Sequence, residues 1–337
     1  DCNGANFAAG SFPLSVTVGP SGQFAYVANA ASSNVTIYAV NAVSGTLAST
    51  GAIAAGTGSR SVSIDPSGRF AYVANASVDS ISAYNVSATT GALAQIDCGG
   101  GVGCSGMNFT TGLLPVLVTI DPTGKYAYVP NVSSNSVSAF AIDPASGALA
   151  AIDCGGGVGC SGAHFAAGTA PVGVSVDASG KYAYVPNETS NDVTAYAINS
   201  ASGALVQINC SGGSGCNGSN FAAGTGPSSM AIAPQGRFAY VANGNSNDVS
   251  AYAISPATGA LTRIHCSGAG CNGVNFLVGT RPSSISIDAS GRFAYVANNG
   301  GNVSAYAIDT VTGALTGIGT IAAGTGPSAV TTTGILQ

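Results

Sequence analysis

Short apolar segments of about six residues alternate with polar turns along the entire chain. In residues 24–28, Phe24 and Tyr26 fall on one alternating face, and Val27 falls on the other. A strand with one face in water would alternate apolar and polar residues, so we predict strands that are covered on both faces. No helical apolar period extends over a useful length. The pattern therefore predicts an all-β fold.

The apolar segments belong to one repeated phrase built around the tetrapeptide Tyr-Val-Ala/Pro-Asn. Its copies are 46, 56, 56, 56 and 55 residues apart and begin at Tyr26, Tyr72, Tyr128, Tyr184, Tyr240 and Tyr295. Each copy predicts four strands, which we name A to D in chain order. Examples are A at 172–176, B at 70–74 and C at 193–198, and D follows the sequence Thr/Ser-Gly-Ala-Leu. A strand-only repeat of this length predicts an array of small β-sheets.

Sheets buried on both faces fit the blades of a β-propeller, each covered by its neighbours. We predict a single β-propeller domain over residues 1–337, with four-stranded blades at 13–56, 59–112, 115–168, 171–224, 227–279 and 282–324. Residues 5–10 and 327–334 resemble strands D and A of a partial seventh blade. Seven blades are favoured, with six as the alternative. The partial blade lacks strands B and C, which are missing from this chain, supplied by another molecule, or not needed because six blades close with free tails.

The chain begins inside a repeat, because residues 1–7 match residues 215–221. No signal peptide is visible, but a start in mid-repeat leads us to expect a processed or trimmed chain.

Nine cysteines form four close pairs and one orphan. The predicted disulfides are Cys98–Cys104, Cys154–Cys160, Cys210–Cys216 and Cys266–Cys271, and Cys2 is expected to be unpaired or intermolecular. Close pairs in a chain of low charge favour short disulfide loops. Metal binding is the alternative, but the spacing is too long for a Cys-x₂-Cys knuckle, so we predict no metal site. The loops lengthen the D segment by about ten residues and are expected to decorate the outer rim.

Charged residues make up only 6% of the chain, and the net charge is −5. There is no basic patch to neutralise phosphates, so nucleic acid is not expected as a partner. No apolar run is long enough to span a membrane. A surface with little charge repulsion favours self-association or an extracellular-matrix or cell-surface partner. No cofactor is predicted.

The repeated phrase resembles the YVTN-repeat β-propellers, which occur in secreted and surface-layer-like proteins and in lactonase-like propellers. The resemblance covers nearly the whole chain. The third position of the motif departs from threonine, and Pro130 and Pro186 occupy it in two repeats. A proline removes a ladder donor, so these residues are expected at a strand end. The resemblance implies the fold and an exported, extracellular location.

Binding residues are expected to interrupt the repeat, because a site is asymmetric. Arg60 and Arg281 do so at the D–A connections, and Glu188, Asp192 and Asp248 lie in or beside the B–C turns. Both kinds of connection share one end of each sheet, because antiparallel strands alternate in direction. These five residues are the predicted ligand-binding candidates, and no catalytic residue is predicted.

Other charged residues follow the repeat. Arg69, Lys125, Lys181, Arg237 and Arg292 come after the glycine of the A–B turn, and Asp65, Asp121, Asp177 and Asp288 begin that turn. We interpret both sets as solvated turn residues. We interpret His164, which we align with Met107 or Ser219, as a surface residue.

The leading hypothesis is an extracellular, non-enzymatic structural or adhesive propeller. It would self-assemble through its incomplete terminal blade and its disulfide-looped rim. The alternative is a lactonase-like hydrolase, or a propeller that binds carbohydrate or another ligand.

Overall fold

A computed structural model describes residues 6–100, 104–155, 160–212, 215–266 and 270–332. The chain forms two compact units, Asp1–Phe165 and Ala166–Gln337. The described residues contain strands and no helix, which confirms the predicted all-β class. Each of the six predicted complete repeats forms one antiparallel sheet.

The first unit contains the sheets of repeats one to three. Repeat one has the order β1 (Pro13–Val18), β2 (Phe24–Asn29), β3 (Asn34–Val40) and β4 (Leu47–Ala54). Repeat two has β5 (Ser59–Ile64), β6 (Phe70–Asn75), β7 (Ser80–Val86), β8 (Leu93–Ile96), β9 (Cys104–Ser105) and β10 (Asn108–Thr110). Repeat three has β11 (Thr119–Ile120), β12 (Tyr126–Asn131), β13 (Ser136–Ile142), β14 (Leu149–Ala151), β15 (Cys160–Ser161) and β16 (His164–Ala166).

The second unit contains the sheets of repeats four to six. Repeat four has β17 (Ser175–Val176), β18 (Tyr182–Asn187), β19 (Asp192–Ile198), β20 (Leu205–Ile208), β21 (Cys216–Asn217) and β22 (Asn220–Ala222). Repeat five has β23 (Pro227–Ile232), β24 (Phe238–Asn243), β25 (Asp248–Ile254), β26 (Leu261–Ile264) and β27 (Phe276–Leu277). Repeat six has β28 (Pro282–Ile287), β29 (Phe293–Asn298), β30 (Asn302–Ile308) and β31 (Leu315–Ala322).

Strand A is shortened to two residues in repeats three and four. Pro130 and Pro186 lie in the B strands of these repeats and have no N–H to donate to strand A. The ladder keeps only an isolated bridge on the far side of each proline, between Pro115 and Asn131 and between Pro171 and Asn187. In the other repeats an alanine holds this position and strand A has six residues.

Consecutive sheets within each unit share apolar cores. Phe24 and Tyr26 of repeat one pack with Val73 and Tyr84 of repeat two, and Tyr184 and Tyr252 lie in one cluster of the second unit. The B and C strands are buried on both faces. This confirms the prediction drawn from their uninterrupted apolar pattern.

The tyrosine that begins the tetrapeptide links neighbouring repeats. Its hydroxyl donates a hydrogen bond to the carbonyl of the C–D turn glycine in the next repeat, from Tyr72 to Gly147 at 2.9 Å and from Tyr184 to Gly259 at 2.8 Å. These glycines have φ near 70°, and a Cβ on Gly147 would lie 2.3 Å from the Phe70 ring. The turn therefore requires glycine for both conformation and space. Burial raises the pKa of the equivalent Tyr26 to about 12.

Three of the four A–B turn aspartates, Asp65, Asp121 and Asp177, are buried, so their interpretation as solvated residues is wrong. Asp288 is half-buried. Asp65 is 4% exposed. One carboxylate oxygen accepts the N–H groups of Arg69 and Phe70 at 2.8 and 2.7 Å, and the other accepts the N–H of Ser67 at 3.0 Å. The aspartate thus satisfies three backbone donors of the turn.

The cysteine loops are inserted into strand D at a β-bulge. In repeat one, β3 and β4 pair along their whole length except for a bulge beside Gly51, which has φ 145°. In repeat two, β8 pairs with the second half of β7 and β10 with its first half, so the loop leaves the strand at the corresponding point. The predicted insertion within the D segment is confirmed.

Three of the predicted disulfides are present: Cys98–Cys104, Cys210–Cys216 and Cys266–Cys271. Cys154 is also disulfide-bonded. The side chain of its predicted partner, Cys160, and the orphan Cys2 lie outside the described residues.

Both terminal segments keep the register of the repeat beside their own neighbours. Tyr38 donates to the carbonyl of Ala8 at 2.5 Å, as Tyr84 does to Ala54, so Ala8 holds the repeat position that Ala54 has at the end of β4. In the second unit, Ser284 and Ser286 of β28 hydrogen-bond to Val330 and Thr332. Residues 327–332 thus lie beside strand A of repeat six, where another A strand is expected.

Candidate functional site

The B–C turns and the D–A connections meet at one end of the sheets. Residues just before strand C have positive φ, and their side chains accept a backbone N–H from the next D–A connection. Asp79 accepts from Leu114 at 2.8 Å, Asn191 from Gly226 at 2.8 Å and Asn247 from Arg281 at 2.7 Å. Within each unit this end of the sheets, which we call the B–C face, is the one on which ligand-binding residues were predicted.

Arg281 and Glu188 are exposed on the B–C face of the second unit. Arg281 immediately precedes β28, and its carbonyl accepts the N–H of Asn299 at 2.9 Å. The N–H of Glu188 makes the corresponding bond to the carbonyl of Ala170 at 2.8 Å. Arg281 and Glu188 therefore belong to the same short backbone pairing in repeats six and four.

Two glycines occupy the corresponding pairing in repeat five, between these charged residues. The N–H of Gly244 donates to the carbonyl of Gly226 at 2.7 Å. Neither glycine carries a side chain, so repeat five has no charged group where the neighbouring repeats carry Glu188 and Arg281. Gly226 is buried beside the Asn245 side chain, and Gly244 is half-buried. The B–C face of repeat five therefore lies between a carboxylate on one side and a guanidinium on the other.

Arg60 belongs to the first unit, where it is exposed at the second residue of β5. It does not occupy the repeat position of Arg281. That position is held by Gly58 in repeat two, so Arg60 lies two residues later in the repeat.

Asp192 and Asp248 are buried, with exposures of 2% and 1%. The Asp192 carboxylate accepts amide N–H groups from Asn187, Asn217 and Asn220 at 2.7, 3.0 and 3.1 Å. Burial raises the pKa of Asp192, and these amide hydrogen bonds oppose the shift.

Asp248 has the same arrangement in repeat five, with Asn243, Asn272 and Asn275 as donors at 2.7, 2.9 and 2.9 Å. The two carboxylates anchor the cysteine loops to strand C. They are not placed beside Glu188 and Arg281 on the exposed surface.

The repeats show a pairing that explains why aspartate occurs only in repeats four and five. Two positions vary together: the first residue of strand C and the residue after the second loop cysteine. They are Asp192 and Asn217 in repeat four, and Asp248 and Asn272 in repeat five. In repeats two and three both positions are serine. Aligning the repeats with one another would have revealed this structural role.

Arg263 is a half-buried cation that the sequence reasoning did not single out. It donates to the carbonyl of Ala222 at 2.9 Å and to Asn275 Oδ1 at 2.5 Å. Gln95 and Gln207 hold the same position in repeats two and four and bind the equivalent loop asparagines. Arg263 therefore holds the cysteine loop of repeat five, and its alignment with two glutamines is the signal that was missed.

His164 aligns with Asn108, Asn220 and Asn275, so its alignment with Met107 or Ser219 is wrong by one position. Its Nδ1 lies 2.9 Å from Ser138 Oγ. The side chain is half-buried rather than on the open surface, and burial lowers its pKa.

Ser138 and His164 do not form a catalytic dyad. Ser138 is 1% exposed, and its Oγ already accepts hydrogen bonds from the Gly112 N–H at 3.1 Å and from Asn131 Nδ2 at 2.9 Å. Its own proton is therefore directed to His164 Nδ1, which fixes the tautomer with the proton on Nε2. A buried hydroxyl with all these partners cannot reach a substrate.

Among the described residues, no group of three or more His, Cys, Asp or Glu side chains is placed to hold a metal ion. Over the same part of the chain, no helix is long and apolar enough to cross a membrane.

Comparisons with known proteins identify the family. A family model described as lactonase, seven-bladed β-propeller matches residues 2–103, 62–156 and 118–332. A search of curated proteins finds no match.

Solved structures share the fold. A Bacteroides fragilis protein provisionally named a 6-phosphogluconolactonase is 22% identical, with TM-score 0.74, over 94% of this chain and 86% of that one. The periplasmic gluconolactonase of Pseudomonas aeruginosa is 23% identical, with TM-score 0.72, over 96% and 88%. The hydrazine synthase of Kuenenia stuttgartiensis is 19% identical, with TM-score 0.65, over 98% and 92%. Similarity at this level shows the fold alone.

The family match overturns the leading functional hypothesis. A non-enzymatic structural or adhesive propeller that self-assembles was expected, and the match supports the alternative of a lactonase-like protein. The hypothesis relied on low charge and on an unfinished blade, neither of which bears on chemistry at the B–C face. The predicted propeller and its seven-bladed form agree with the family. The matches together span nearly the entire sequence, and this chain belongs to the lactonase seven-bladed β-propeller family.

Proposed function

We propose that this protein is a hydrolase that opens the ring of a small sugar lactone. The observation that carries this proposal is the lactonase family match, which extends over residues 2–332. The products would be the corresponding sugar acid and a proton.

The proposed site is the part of the B–C face of repeat five that lies between Glu188 and Arg281. Repeat five has Gly244 where repeat four has Glu188, and Gly226 where repeat six has Arg281. Both charged side chains are exposed, and they interrupt the repeat, as an asymmetric site requires.

Glu188 is the proposed general base, and Arg281 the proposed electrophilic group. Glu188 removes a proton from a water molecule whose oxygen attacks the lactone carbonyl carbon. The Arg281 guanidinium donates hydrogen bonds to the oxyanion that forms on the carbonyl oxygen. The ring C–O bond then breaks, and the leaving alkoxide takes the proton from Glu188, which leaves a hydroxy acid.

An unphosphorylated lactone is the proposed substrate. A phosphate would need several charge-assisted donors, yet Arg281 is the one basic residue of the second unit on the B–C face. Lys181, Arg237 and Arg292 follow the A–B turns at the other end of the sheets, and Arg263 is bound to the cysteine loop of repeat five.

We also propose that the protein works outside the cytoplasm. Its disulfides support this, because such bonds persist in oxidising compartments.

Hydrolysis of D-glucono-1,5-lactone tests the proposal. The reaction releases acid, which a pH indicator reports in weak buffer after spontaneous hydrolysis is subtracted. We expect Arg281→Ala and Glu188→Gln each to lower kcat/KM by about 100-fold. Arg292→Ala is the matched control, because Arg292 lies at the opposite end of the sheets, and it should keep the wild-type rate.

Two results would reject this function. One is a wild-type rate no higher than the spontaneous rate for both gluconolactone and its 6-phosphate. The other is full activity in Arg281→Ala and Glu188→Gln. A strong preference for the 6-phosphate would overturn only the choice of substrate.

A further inference from the structure

A cavity in the second unit lies beside the outermost strand of repeat six, and its lining includes neither Glu188 nor Arg281. Its volume is about 630 Å³. One wall is formed by His265, Phe276 and Leu277 of repeat five, and the other by Tyr306 and the strand β31. We call it the D-strand cavity.

The D-strand cavity is open because glycine replaces a long side chain. Gly317 holds the strand position that Arg263 holds in repeat five and Gln207 in repeat four. A Cβ on Gly317 would have only the Tyr306 ring near it, at 3.9 Å, and nothing lies within 4 Å of a Cβ on Gly319.

A smaller cavity marks the equivalent place between repeats four and five. It measures about 360 Å³, and Arg263 is among its lining residues. This cavity is smaller than the D-strand cavity because the Arg263 side chain extends across it to bind Asn275 and Ala222. Repeat six has no side chain to do the same.

No aspartate, glutamate, lysine or arginine is among the described residues that line the D-strand cavity, and His265 contributes an imidazole. Phe276 and Tyr306 are both buried and provide an aromatic wall. The facing strand β31 is the edge of its sheet, so the N–H and C=O groups on its outer side, which belong to alternate residues, face no further strand of that sheet. The cavity thus combines an apolar wall with a row of backbone donors and acceptors.

This combination selects for a neutral ligand that carries hydroxyl groups beside an apolar face. A charged ligand would lose its hydration without gaining an ionic partner. The volume lies within the range of small-molecule sites, of about 300–1,000 Å³. We propose that the D-strand cavity binds a neutral saccharide of one or two sugar units, at a site separate from the proposed lactone site.

Calorimetric titration with cellobiose and with methyl β-D-glucoside tests the proposal, with glucose 6-phosphate as the charged comparison. Wild-type protein should bind at least one neutral probe saturably and should bind glucose 6-phosphate more weakly. Gly317→Arg restores the side chain found in repeat five and should weaken binding at least 10-fold. Ile318→Arg is the matched control, because Ile318 is exposed, does not line the cavity and receives the same charge. It should bind as the wild type does.

His265→Ala gives a second test that does not depend on how Gly317→Arg folds. His265 is exposed, so its loss should leave the fold intact and weaken binding of the neutral probe by several-fold. Absence of saturable binding to both neutral probes would overturn the proposal. So would unchanged affinity in both Gly317→Arg and His265→Ala, or stronger binding of glucose 6-phosphate. Lactone hydrolysis measured in the same variants should be unaffected, so the two proposals can fail independently.

Discussion

Asn247 Oδ1 accepts the backbone N–H of Arg281 at 2.7 Å, and both residues have positive φ angles, of 57° and 52°. The same bond joins Asn191 to Gly226, where glycine adopts the conformation without strain. Arg281 is therefore held in a left-handed conformation that costs a non-glycine residue about 1 kcal/mol or more. Phe12, Leu114 and Ala170 have the same conformation just before the proline of strand A, so this strain is a feature of the repeat rather than of Arg281 alone.

Arg281→Gly should separate stability from activity. Glycine relieves the strained φ angle and keeps the N–H that Asn247 binds. Loss of strain is partly offset by the greater freedom of glycine in the unfolded chain. We expect chemical denaturation to show Arg281→Gly to be more stable than Arg281→Ala by about 1 kcal/mol.

Lactone hydrolysis should be lost equally in Arg281→Gly and Arg281→Ala, because both lack the guanidinium. Retained activity in the glycine variant would show that Arg281 contributes only through its backbone.

His164 should make stability depend on pH. Burial lowers its pKa in the folded protein, and Ser138 donates to the nitrogen that would have to take the second proton. The unfolded chain, with a histidine pKa of about 6.5, therefore binds more protons as the pH falls. The contribution of neutral His164 to the free energy of unfolding is fully present above about pH 6.5, the unfolded pKa. It is lost as the pH falls from that value towards the lower pKa of the folded protein.

His164→Asn restores the residue found at this position in three other repeats and removes this titration. Urea denaturation of both proteins between pH 8 and pH 5 provides the measurement. The wild type should lose more stability than His164→Asn over this interval, and parallel curves would contradict the account.

The carboxylate–amide pair between strand C and the cysteine loop should behave as a coupled unit. Asp192→Ser leaves the buried amide of Asn187, and the amides of Asn217 and Asn220, without their charged acceptor and should cost about 3 kcal/mol. The double change Asp192→Ser with Asn217→Ser recreates the serine pair of repeats two and three. It should cost less than the sum of the single changes by at least about 1 kcal/mol. Additive losses in a double-mutant cycle would show that the pair is not coupled.

Much of the fold was predictable because the repeat fixes its own partners. Every complete repeat has a tyrosine equivalent to Tyr72 and a glycine equivalent to Gly147, because the tyrosine hydroxyl donates to the glycine carbonyl of a neighbouring sheet. The apolar residues on both faces of strands B and C likewise predicted that both faces would be buried. The shortened A strands were not foreseen, since they follow from a missing donor on the neighbouring strand.

The site was harder to predict, because charge alone does not distinguish an exposed group from a buried one. Glu188 and Asp192 lie four residues apart, yet Glu188 is exposed and Asp192 is enclosed by three asparagine amides. The difference depends on Asn217 and Asn220, which lie far along the chain.

A crystal structure with D-glucono-1,5-lactam tests the central claim most directly, because an amide replaces the reactive ester and keeps the carbonyl. The account predicts that the lactam lies on the B–C face of repeat five, with its carbonyl oxygen about 3 Å from the Arg281 guanidinium. Lactam bound elsewhere, with Glu188 and Arg281 both free of it, would contradict the account.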